Sequence, residues 1–479
     1  LRAHLAMADC DENAMSSRCR SGGEGTTRGS AEYLPLDEPF HANLRDRAAN
    51  GQYANLYFAR LAKLRPAVQQ QMAAKWGLSE ARLREMQSKT LDVPEEAECI
   101  VLGTFYAEMK LKPNVLEEYT RDPLAAAAPV PDKYCGPGDK LIIEDETGRL
   151  VISGALVTQA KLVTGVVLAV RGQLDPATSI FAVNDICIAD MSAQPPLPAS
   201  VTLTESEAEP RPTDHYLALV SGLNVGAEGD GEHMLALQLL CDYLSANVGG
   251  GEELGLQRQI VRLVVCGNSL AIDGDKPTGA EALRPMKAKQ QRTLANSLQA
   301  FEAILLPVAA SMPIDLMPGI TDPSNLNLPQ QPFHHCLLPL LARHASFTSV
   351  PNPHCFELGG LRMLGTSGQP VSDAHKYHET EDAVDTLESM LRWRHLAPTA
   401  PDTLPCFPYA MADPFILNET PHLLFAGNQS RYGTRLAKGA DGQKVRLVAV
   451  PDFSKTRIAV LVNLRTLRCH PLCFQGYGH

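Results

Sequence analysis

The chain has 479 residues, of which 44% are apolar and 20% are charged, and its formal net charge is −11. This length corresponds to about three domains of ordinary size. The acidic balance argues against a protein that holds nucleic acid by itself, since that function requires clustered Lys and Arg. Its twelve cysteines include no Cys-x-x-Cys pair, which favours isolated thiols in a reducing compartment over a zinc site. We find no apolar run close to the roughly 18 residues of a membrane span.

The first part of the chain is small, polar and rich in glycine, so we predict a disordered tail over 1–35. Apolar side chains then recur on one helical face, at Tyr53, Tyr57, Leu61 and Leu64. This spacing is typical of an amphipathic helix. Pro66 is expected to end or kink that helix, with a second helix after it. We therefore predict a helical segment over 36–92 that packs on the next domain.

Beyond residue 92 the periodicity changes from helix to strand. Five short strands are predicted, at 99–106, 140–144, 150–156, 163–171 and 181–189. The turn at 145–148 ends in glycine and predicts a hairpin between the second and third strands. This density of strands predicts a small closed barrel of the OB-fold kind over 93–191. Because the strands carry few aromatic or cationic side chains, protein contact is favoured over binding of single-stranded nucleic acid.

Residues 192–214 contain five prolines and three glutamates, which predicts a linker. From 215 to 479 predicted strands, among them 216–220 and 314–317, alternate with predicted helices. A polar stretch at 271–288 predicts a surface insertion. Several of these strands end in a loop that contains glycine, which predicts a layered α/β domain with its site at the strand ends. The predicted fold class is therefore α+β and multi-domain, with a helical N-terminal segment, an OB-fold β-barrel and an α/β sandwich.

Four of the strand ends form an ordered series of loops. They carry Gly222 and Asn224, Gly267 and Asn268, Gly319 and Asp322, and Gly427 and Asn428. In two-metal phosphoesterases of the calcineurin-like class, loops in these places carry Asp and His, because divalent metals require carboxylate and imidazole ligands. Only Asp322 is such a ligand here, and one carboxylate does not hold two metals. We interpret the eight residues as a degenerate metal site, with no catalytic or metal-binding residue. The alternative is an α/β domain with glycine turns and no phosphoesterase ancestry.

Three further features are weak candidates for a site. His334 and His335 are adjacent and could form a metal pair. His375 and His378 lie beside carboxylates on a polar stretch, which favours a solvated face. The turn at 365–368, Gly-Thr-Ser-Gly, could cradle a phosphate with its N–H groups. Because no lysine follows it, it is not a P-loop, and a tight turn is favoured.

Several longer strings carry a resemblance to a known family. They are YANLYFARLAKLRP at 53–66, KLVTGVVLA at 161–169, DLMPGITDPSNLNLPQQP at 315–332, LGTSGQPVSD at 364–373, HLAPTAPDTL at 395–404, PHLLFAGNQSRYGT at 421–434 and VPDFS at 450–454. From about Phe40 to its C-terminus the chain resembles the DNA polymerase delta/II small subunit family, the small (B) subunits of a eukaryotic replicative polymerase. The B subunits of polymerases alpha and epsilon share that architecture but match these strings less well.

The resemblance implies an OB domain fused to an inactive calcineurin-like phosphoesterase domain. It implies a non-catalytic nuclear scaffold in DNA replication and repair, which joins the C-terminal domain of the catalytic subunit to the third subunit and in some lineages also serves polymerase zeta. No cofactor is implied in this chain, whereas the catalytic subunit is expected to carry a metal or iron–sulfur cluster. Contact with DNA would be indirect, and the interface residues are not identified.

The same residues are compatible with three alternative functions. The first is a B subunit of polymerase alpha or epsilon. The second is an active metal-dependent phosphoesterase or exonuclease with a rearranged site around Asp322. The third is direct binding of single-stranded DNA by the barrel, which would depend steeply on salt concentration.

Overall fold

A computed structural model describes residues 28–43, 47, 52–95, 97–112, 131–203, 211–226, 231–271, 288–379 and 382–474. The predicted tail before residue 28, most of the predicted insertion and the acidic part of the predicted linker (204–210) lie outside these residues. The described chain forms N-terminal helices, a closed barrel and a sandwich of two six-stranded sheets.

The strands, in chain order, are β1 Tyr33–Pro35, β2 Gln87–Ser88, β3 Cys99–Glu108, β4 Lys140–Glu144, β5 Arg149–Ser153, β6 Val167–Asp175, β7 Ile180–Ile188, β8 Tyr216–Val220, β9 Ile260–Cys266, β10 Ile314–Met317, β11 Phe347–Ser349, β12 His354–Leu358, β13 Leu361–Thr366, β14 Leu423–Gln429, β15 Gly433–Lys438, β16 Lys444–Pro451, β17 Ile458–Asn463 and β18 Cys469–Cys473. The α-helices are α1 Ala54–Trp76, α2 Glu80–Met86, α3 Ala155–Gln159, α4 Gly231–Leu244, α5 Gly251–Gln259, α6 Ala288–Ser311, α7 Gln369–Ala374, α8 Ala383–Trp393 and α9 Phe453–Thr456. Short 3-10 turns include Glu38–Phe40 and His335–Leu337.

The barrel has the strand order β2-β3-β4-β5-β7-β6, and pairing of β3 with β6 closes it. The side chains of β7 show why the chain folds in this way: Phe181 and Val183 are buried, whereas Ala182 and Asn184, which alternate with them, are exposed. Of the five predicted barrel strands, two differ from the observed strands by only one or two residues at an end, and two differ by three or four. The strand predicted at 150–156 ends at Ser153, because Gly154, with φ of 144°, turns the chain into α3. The strand predicted at 163–171 begins only at Val167, after a buried turn.

The prediction of two helices divided at Pro66 is wrong, because α1 is one helix that runs through this residue. Proline removes one hydrogen-bond donor and leaves the carbonyl four residues earlier, that of Ala62, without its helical partner. Ala62 and Pro66 are both exposed, so water can satisfy that carbonyl. On its buried face α1 packs against the barrel, where Leu64 and Val68 meet Ile100.

The sandwich contains two sheets, which we call sheet one and sheet two. Sheet one has the order β1-β12-β13-β14-β16-β15, and sheet two has the order β11-β10-β9-β8-β17-β18. A buried core fills the space between them, with Val264 and Met317 from sheet two and Phe356, Phe425 and Val448 from sheet one. Helices α4 and α6 cover the outer face of sheet two. Helix α8 and the barrel share a second core with the outer face of sheet one.

Helix α6 is long and apolar enough to cross a membrane by length and composition, which the sequence did not lead us to expect. In the fold, its apolar face packs on sheet two: Leu298, Phe301 and Leu305 belong to the same buried core as Leu263 and Ile314. This packing is that of a core helix in a globular domain.

The predicted tail over 1–35 is wrong for its last part, because residues 28–35 are ordered. Strand β1 pairs antiparallel with β12, with Tyr33 opposite Leu358. Just after β1, Asp37 accepts hydrogen bonds from the N–H of Cys355 (2.7 Å) and lies 2.8 Å from Nδ1 of His354. No local sequence pattern predicts this strand, because the strand with which it pairs is distant in the sequence.

The predicted linker over 192–214 is also wrong for its first part, which lies along one end of sheet one. Ser192 is 3% exposed, and its Oγ lies 3.1 Å from Oγ1 of Thr420. The amide of Gln194 donates to the carbonyls of Pro421 and Lys444. Prolines favour an extended chain, and here that extended chain is held by the sheet instead of moving freely.

Candidate functional site

The four strand ends singled out in the sequence meet at one edge of the sandwich. Strands β8, β9 and β10 are parallel neighbours, so their carboxyl ends lie together. The loops are joined by backbone hydrogen bonds: Gly222 N–H donates to Gly267 C=O at 2.9 Å, and Asn224 N–H donates to Asn268 C=O at 3.0 Å. The end of β14 reaches the same place from sheet one.

Glycine and asparagine at these ends answer a backbone requirement. Gly222 and Gly267 have φ of 66° and 82°, and Asn268 and Asn428 have φ of 54° and 57°. This left-handed region is open to glycine and is tolerated best by asparagine among the other residues. Glycine is required at position 319 for a different reason, because a Cβ there would lie 2.2 Å from the amide nitrogen of Asn268. The loops therefore pack directly on one another.

Asp322 is 5% exposed, and both of its carboxylate oxygens accept backbone hydrogen bonds. Oδ1 accepts from the N–H of Ser269 at 2.9 Å and of Leu270 at 3.1 Å, and Oδ2 accepts from the N–H of Gly319 at 2.7 Å. Burial raises the pKa of this carboxyl to about 6, although the hydrogen bonds oppose the shift. The carboxylate thus ties the loop after β10 to the loop after β9.

Asn428 links the two sheets. Its side-chain amide donates to the carbonyl of Cys266 in sheet two at 3.1 Å and to that of Ser367 at the end of β13 in sheet one at 2.8 Å. Its own N–H donates to the hydroxyl of Ser221 at 2.8 Å. Gly427 must be glycine for the same approach, because a Cβ there would lie 2.4 Å from the carbonyl oxygen of Cys266.

Sequence reasoning missed a cluster of amide and hydroxyl side chains in the same place. Nδ2 of Asn352 lies within hydrogen-bond distance of Gln330 Oε1 (2.8 Å), Ser367 Oγ (2.8 Å) and Gln369 Oε1 (3.0 Å). Gln330 in turn donates to the carbonyl of Gly319 at 3.0 Å. The turn at 365–368, interpreted as a tight turn, is therefore a fifth corner of the site. This corner could have been predicted only from the parallel pairing of β13 with β14, which places the ends of the two strands together. That inference requires a prediction of β13 itself.

A second carboxylate was also missed. Asp452 follows β16 and is 8% exposed. Its Oδ1 accepts from the N–H and the hydroxyl of Ser454, at 3.0 and 2.7 Å, and lies 3.4 Å from Nδ2 of Asn224. Asp452 caps helix α9 in this way. Its position inside the VPDFS string was the only sequence signal.

A two-metal centre does not fit these residues. Such a centre needs several carboxylates and imidazoles whose lone pairs face a common space. Among the residues that the structure describes, two carboxylates lie at these strand ends, Asp322 and Asp452, and N–H or O–H donors occupy Oδ1 of both and Oδ2 of Asp322. None of the strand-end residues named above carries an imidazole. The loops at these strand ends contact one another directly, as Gly319 and Asn268 do.

The other candidates lie elsewhere. Nε2 of His375 lies 3.1 Å from Oγ1 of Thr386. His378 is half-buried, in contrast to the predicted solvated face, and burial lowers the pKa of its imidazole to about 4. His334 and His335 lie together on an exposed 3-10 turn, apart from the strand ends.

Comparison with known proteins gives the class first. Residues 217–435 match the family described as the B subunit of DNA polymerases alpha and epsilon. Residues 52–186 match the family described as the DNA polymerase delta subunit OB-fold domain. The barrel with its preceding helices is therefore an OB-fold domain, and the sandwich is a phosphoesterase-like B-subunit domain, as found in accessory subunits of DNA polymerases.

Individual relatives narrow the class. The chain is 39% identical over 447 residues to the DNA polymerase delta small subunit of Arabidopsis thaliana, covering 93% of this chain and 96% of that protein. It is 35% identical to DNA polymerase delta subunit 2 of Drosophila melanogaster, covering 94% and 99% of the two chains. It is 31% identical to the small subunit of Saccharomyces cerevisiae, with 90% of each chain covered. The chain belongs to the DNA polymerase delta small subunit family, and the resemblance inferred from its motifs is confirmed.

Proposed function

We propose that this chain is a non-catalytic scaffold of DNA polymerase delta, which binds the C-terminal domain of the catalytic subunit and the third subunit at the same time. The relatives are named as polymerase delta subunits, which supports a partner role within that complex. The same role places the chain in the nucleus, in replication and repair, with indirect contact with DNA. Where polymerase zeta uses the same subunit, the same surfaces would serve it.

The proposal that the chain is not catalytic is supported by the hydrogen bonds that close the strand-end site. In an active phosphoesterase, the lone pairs of the ligands are kept free for metal and substrate. Here both carboxylate oxygens of Asp322 accept hydrogen bonds from backbone N–H groups. The side-chain amide of Asn428 donates to backbone carbonyls of both sheets. These contacts hold the loops together. The positions that would carry metal ligands in an active phosphoesterase therefore have a structural role in this chain. We accordingly assign no cofactor to this chain and expect the metal or iron–sulfur cluster in the catalytic subunit.

A scaffold also has to hold its surfaces in fixed relation, and the contact between the barrel and the sandwich supports this. Barrel residues such as Phe105 and Leu168 share one buried core with Leu387 of α8 and Leu424 of sheet one. Arg60 of α1, 0% exposed, donates to Gly165 C=O of the barrel domain and to the carbonyls of Pro398 and Ala400 of the sandwich domain. The two domains therefore form one platform.

The scaffold role is tested by co-expression of the full chain with the C-terminal domain of the catalytic subunit, with and without the third subunit. We expect binary and ternary complexes of equal stoichiometry in size-exclusion chromatography with light scattering. Failure of the binary complex to form at roughly micromolar concentration would refute the proposal.

The absence of catalysis is tested separately. The full chain is incubated with single- and double-stranded DNA in Mn²⁺ or Mg²⁺, next to a variant with both Asp322→Asn and Asp452→Asn. We expect the same background rate for both proteins, since any common contaminant acts in both samples. Metal-dependent cleavage by the wild type that disappears in the folded variant would show an active phosphoesterase.

A further inference from the structure

A surface cluster between β10 and β11 carries the ligand types of a transition-metal site. His334, His335 and Cys336 are consecutive and exposed, and one potential ligand atom of each lies within 4.8 Å of the other two. The two imidazole ring centres are 4.3 Å apart, with an angle of 32° between the planes. The thiol of Cys336 is free. Three donor atoms of suitable type thus already lie close together at the surface.

The backbone that carries the cluster is fixed at both ends. Phe333, just before it, is 5% exposed, and Leu338, just after it, is 1% exposed. Glu302 of α6 accepts hydrogen bonds from the N–H groups of Leu340 and Leu341, at 2.5 and 2.9 Å. The short turn is therefore held on the core while its three donor side chains project into solvent, which lowers the entropy lost when they close on an ion.

The donor set selects the kind of ion. Two imidazole nitrogens and a thiolate sulfur suit Zn²⁺ and ions of similar softness, whereas Mg²⁺ and Mn²⁺ favour oxygen ligands. Zinc lies about 2.0–2.1 Å from nitrogen and about 2.3 Å from sulfur. Tetrahedral ligands are then roughly 3.4–3.7 Å apart, so the present 4.8 Å limit has to contract by about 1 Å. Rotation of exposed side chains supplies a movement of this size.

We propose that His334, His335 and Cys336 form a surface binding site for Zn²⁺ or a related divalent transition metal, with a fourth position open to water. The site is unrelated to the strand-end positions and to the proposed scaffold role. Binding has one local consequence, because the N–H of Cys336 donates to Nδ1 of His334 at 3.3 Å. Coordination through Nδ1 of His334 replaces this long hydrogen bond, whereas coordination through Nε2 leaves it in place. Cys336 binds the ion as a thiolate, and its thiol proton passes to solvent.

The test uses the full chain with any affinity tag removed, titrated with Co²⁺ and then with Zn²⁺. We expect one equivalent of Co²⁺ to produce a thiolate-to-cobalt charge-transfer band, and Zn²⁺ to abolish it. Cys336→Ser should remove the band, and His335→Ala should weaken binding at least about tenfold. Cys473→Ser is the matched control, since Cys473 is also free and exposed, and it should bind as the wild type does.

Other results would overturn the proposal. One is the absence of saturable Co²⁺ binding by the folded wild type. Another is a charge-transfer band of equal strength in Cys336→Ser and the wild type. A third is loss of the band in Cys473→Ser, which would move the site to another cysteine. Circular dichroism of each variant, compared with the wild type, establishes that the fold is retained.

Discussion

Nε of Arg60 lies 2.8 Å from Oδ2 of Asp413, and both side chains are fully buried although their residues belong to different domains. The same carboxylate oxygen lies 2.8 Å from Nε2 of His395. Burial, together with the nearby charge of Arg60, lowers the pKa of His395 to about 4, so this imidazole is neutral and donates to Asp413. One guanidinium and one carboxylate thus form a buried ion pair between α1 and the sandwich.

Replacement of Arg60 should be among the most destabilising single changes in this protein. Arg60→Ala leaves the charge of Asp413 buried without its partner, and breaking a buried pair in this way costs about 3–5 kcal/mol. Arg60→Lys should recover little of the loss, because one ammonium cannot reach the carboxylate and three carbonyls together. The measurement is the free energy of unfolding in urea.

Arg82→Ala is the matched control for that measurement. Arg82 is 55% exposed and its partner Glu85 is 67% exposed, so this change should alter stability by about 1 kcal/mol or less. Equal stability of Arg60→Ala and Arg82→Ala would show that the buried pair does not join the domains.

Gly165→Ala should separate the barrel from the sandwich. Gly165 has φ of 92°, and a Cβ there would lie 1.9 Å from the carbonyl oxygen of Pro398, so either the loop or the domain contact must move. We expect faster proteolysis between the domains and a loss of several kcal/mol in stability. Gly77→Ala provides the comparison, since its φ is 60° with nothing within 4 Å. That variant should lose only about 1–2 kcal/mol.

Stability should fall at alkaline pH through His354. Burial alone would lower the pKa of this imidazole, but Asp315 and Asp37 outweigh burial and raise the pKa to about 9. The folded protein therefore holds a proton that the unfolded chain releases near pH 6.5. The stabilisation is complete below about pH 6.5 and is lost as the pH rises through about 9.

Asp37→Asn isolates this effect. Without the Asp37 charge, the pKa of His354 should fall, so the urea midpoint of the variant should change less between pH 7 and 10 than that of the wild type. The other alkaline groups titrate in both proteins and cancel in the difference. Parallel pH profiles for the two proteins would contradict the role assigned to Asp37.

Asp322→Asn should destabilise the fold by about 1–3 kcal/mol, because an amide NH₂ group would face at least one backbone N–H that now donates to the carboxylate. The pH dependence has a distinct sign. Since the folded pKa of about 6 lies above the ordinary value of 3.8, this group adds stability as the pH falls through about 6, and the gain is complete near the ordinary pKa. The difference between wild type and variant measures it, with exposed Asp92→Asn as control. A difference that shrinks on acidification would refute the assignment.

Local pattern was enough to predict the elements that depend on local sequence. Strands β8 and β10 were predicted with the observed bounds, because continuous apolar runs bounded by glycine define a buried strand. The barrel was predicted from alternation and turns, and the glycine–asparagine corners were visible because each follows such a run. Strand β1 was missed, since three residues that include a proline carry no period of their own.

Long-range polar contacts could not be predicted. Arg60 and Asp413 are 353 positions apart in the chain, and nothing near either residue marks a buried charge. Asn352 and Ser367 carry common amide and hydroxyl groups, which signal a site only when the fold brings them together. The four strand-end loops could be identified from the sequence, because two-metal phosphoesterases carry metal ligands at loops in this order.

Strand β1 also has a consequence for how the protein is made. Asp37 and its partner His354 are 317 positions apart in the chain, so the ribosome must add all the intervening residues before the N-terminal segment has anywhere to bind. At about 5–20 residues per second this takes roughly 15–60 s. During that time the barrel can fold, because its strands all lie within the intervening stretch. The sandwich is completed after the barrel, because β14 to β18 follow His354 in the chain. The edge of β12 stays open to aggregation until β1 pairs with it.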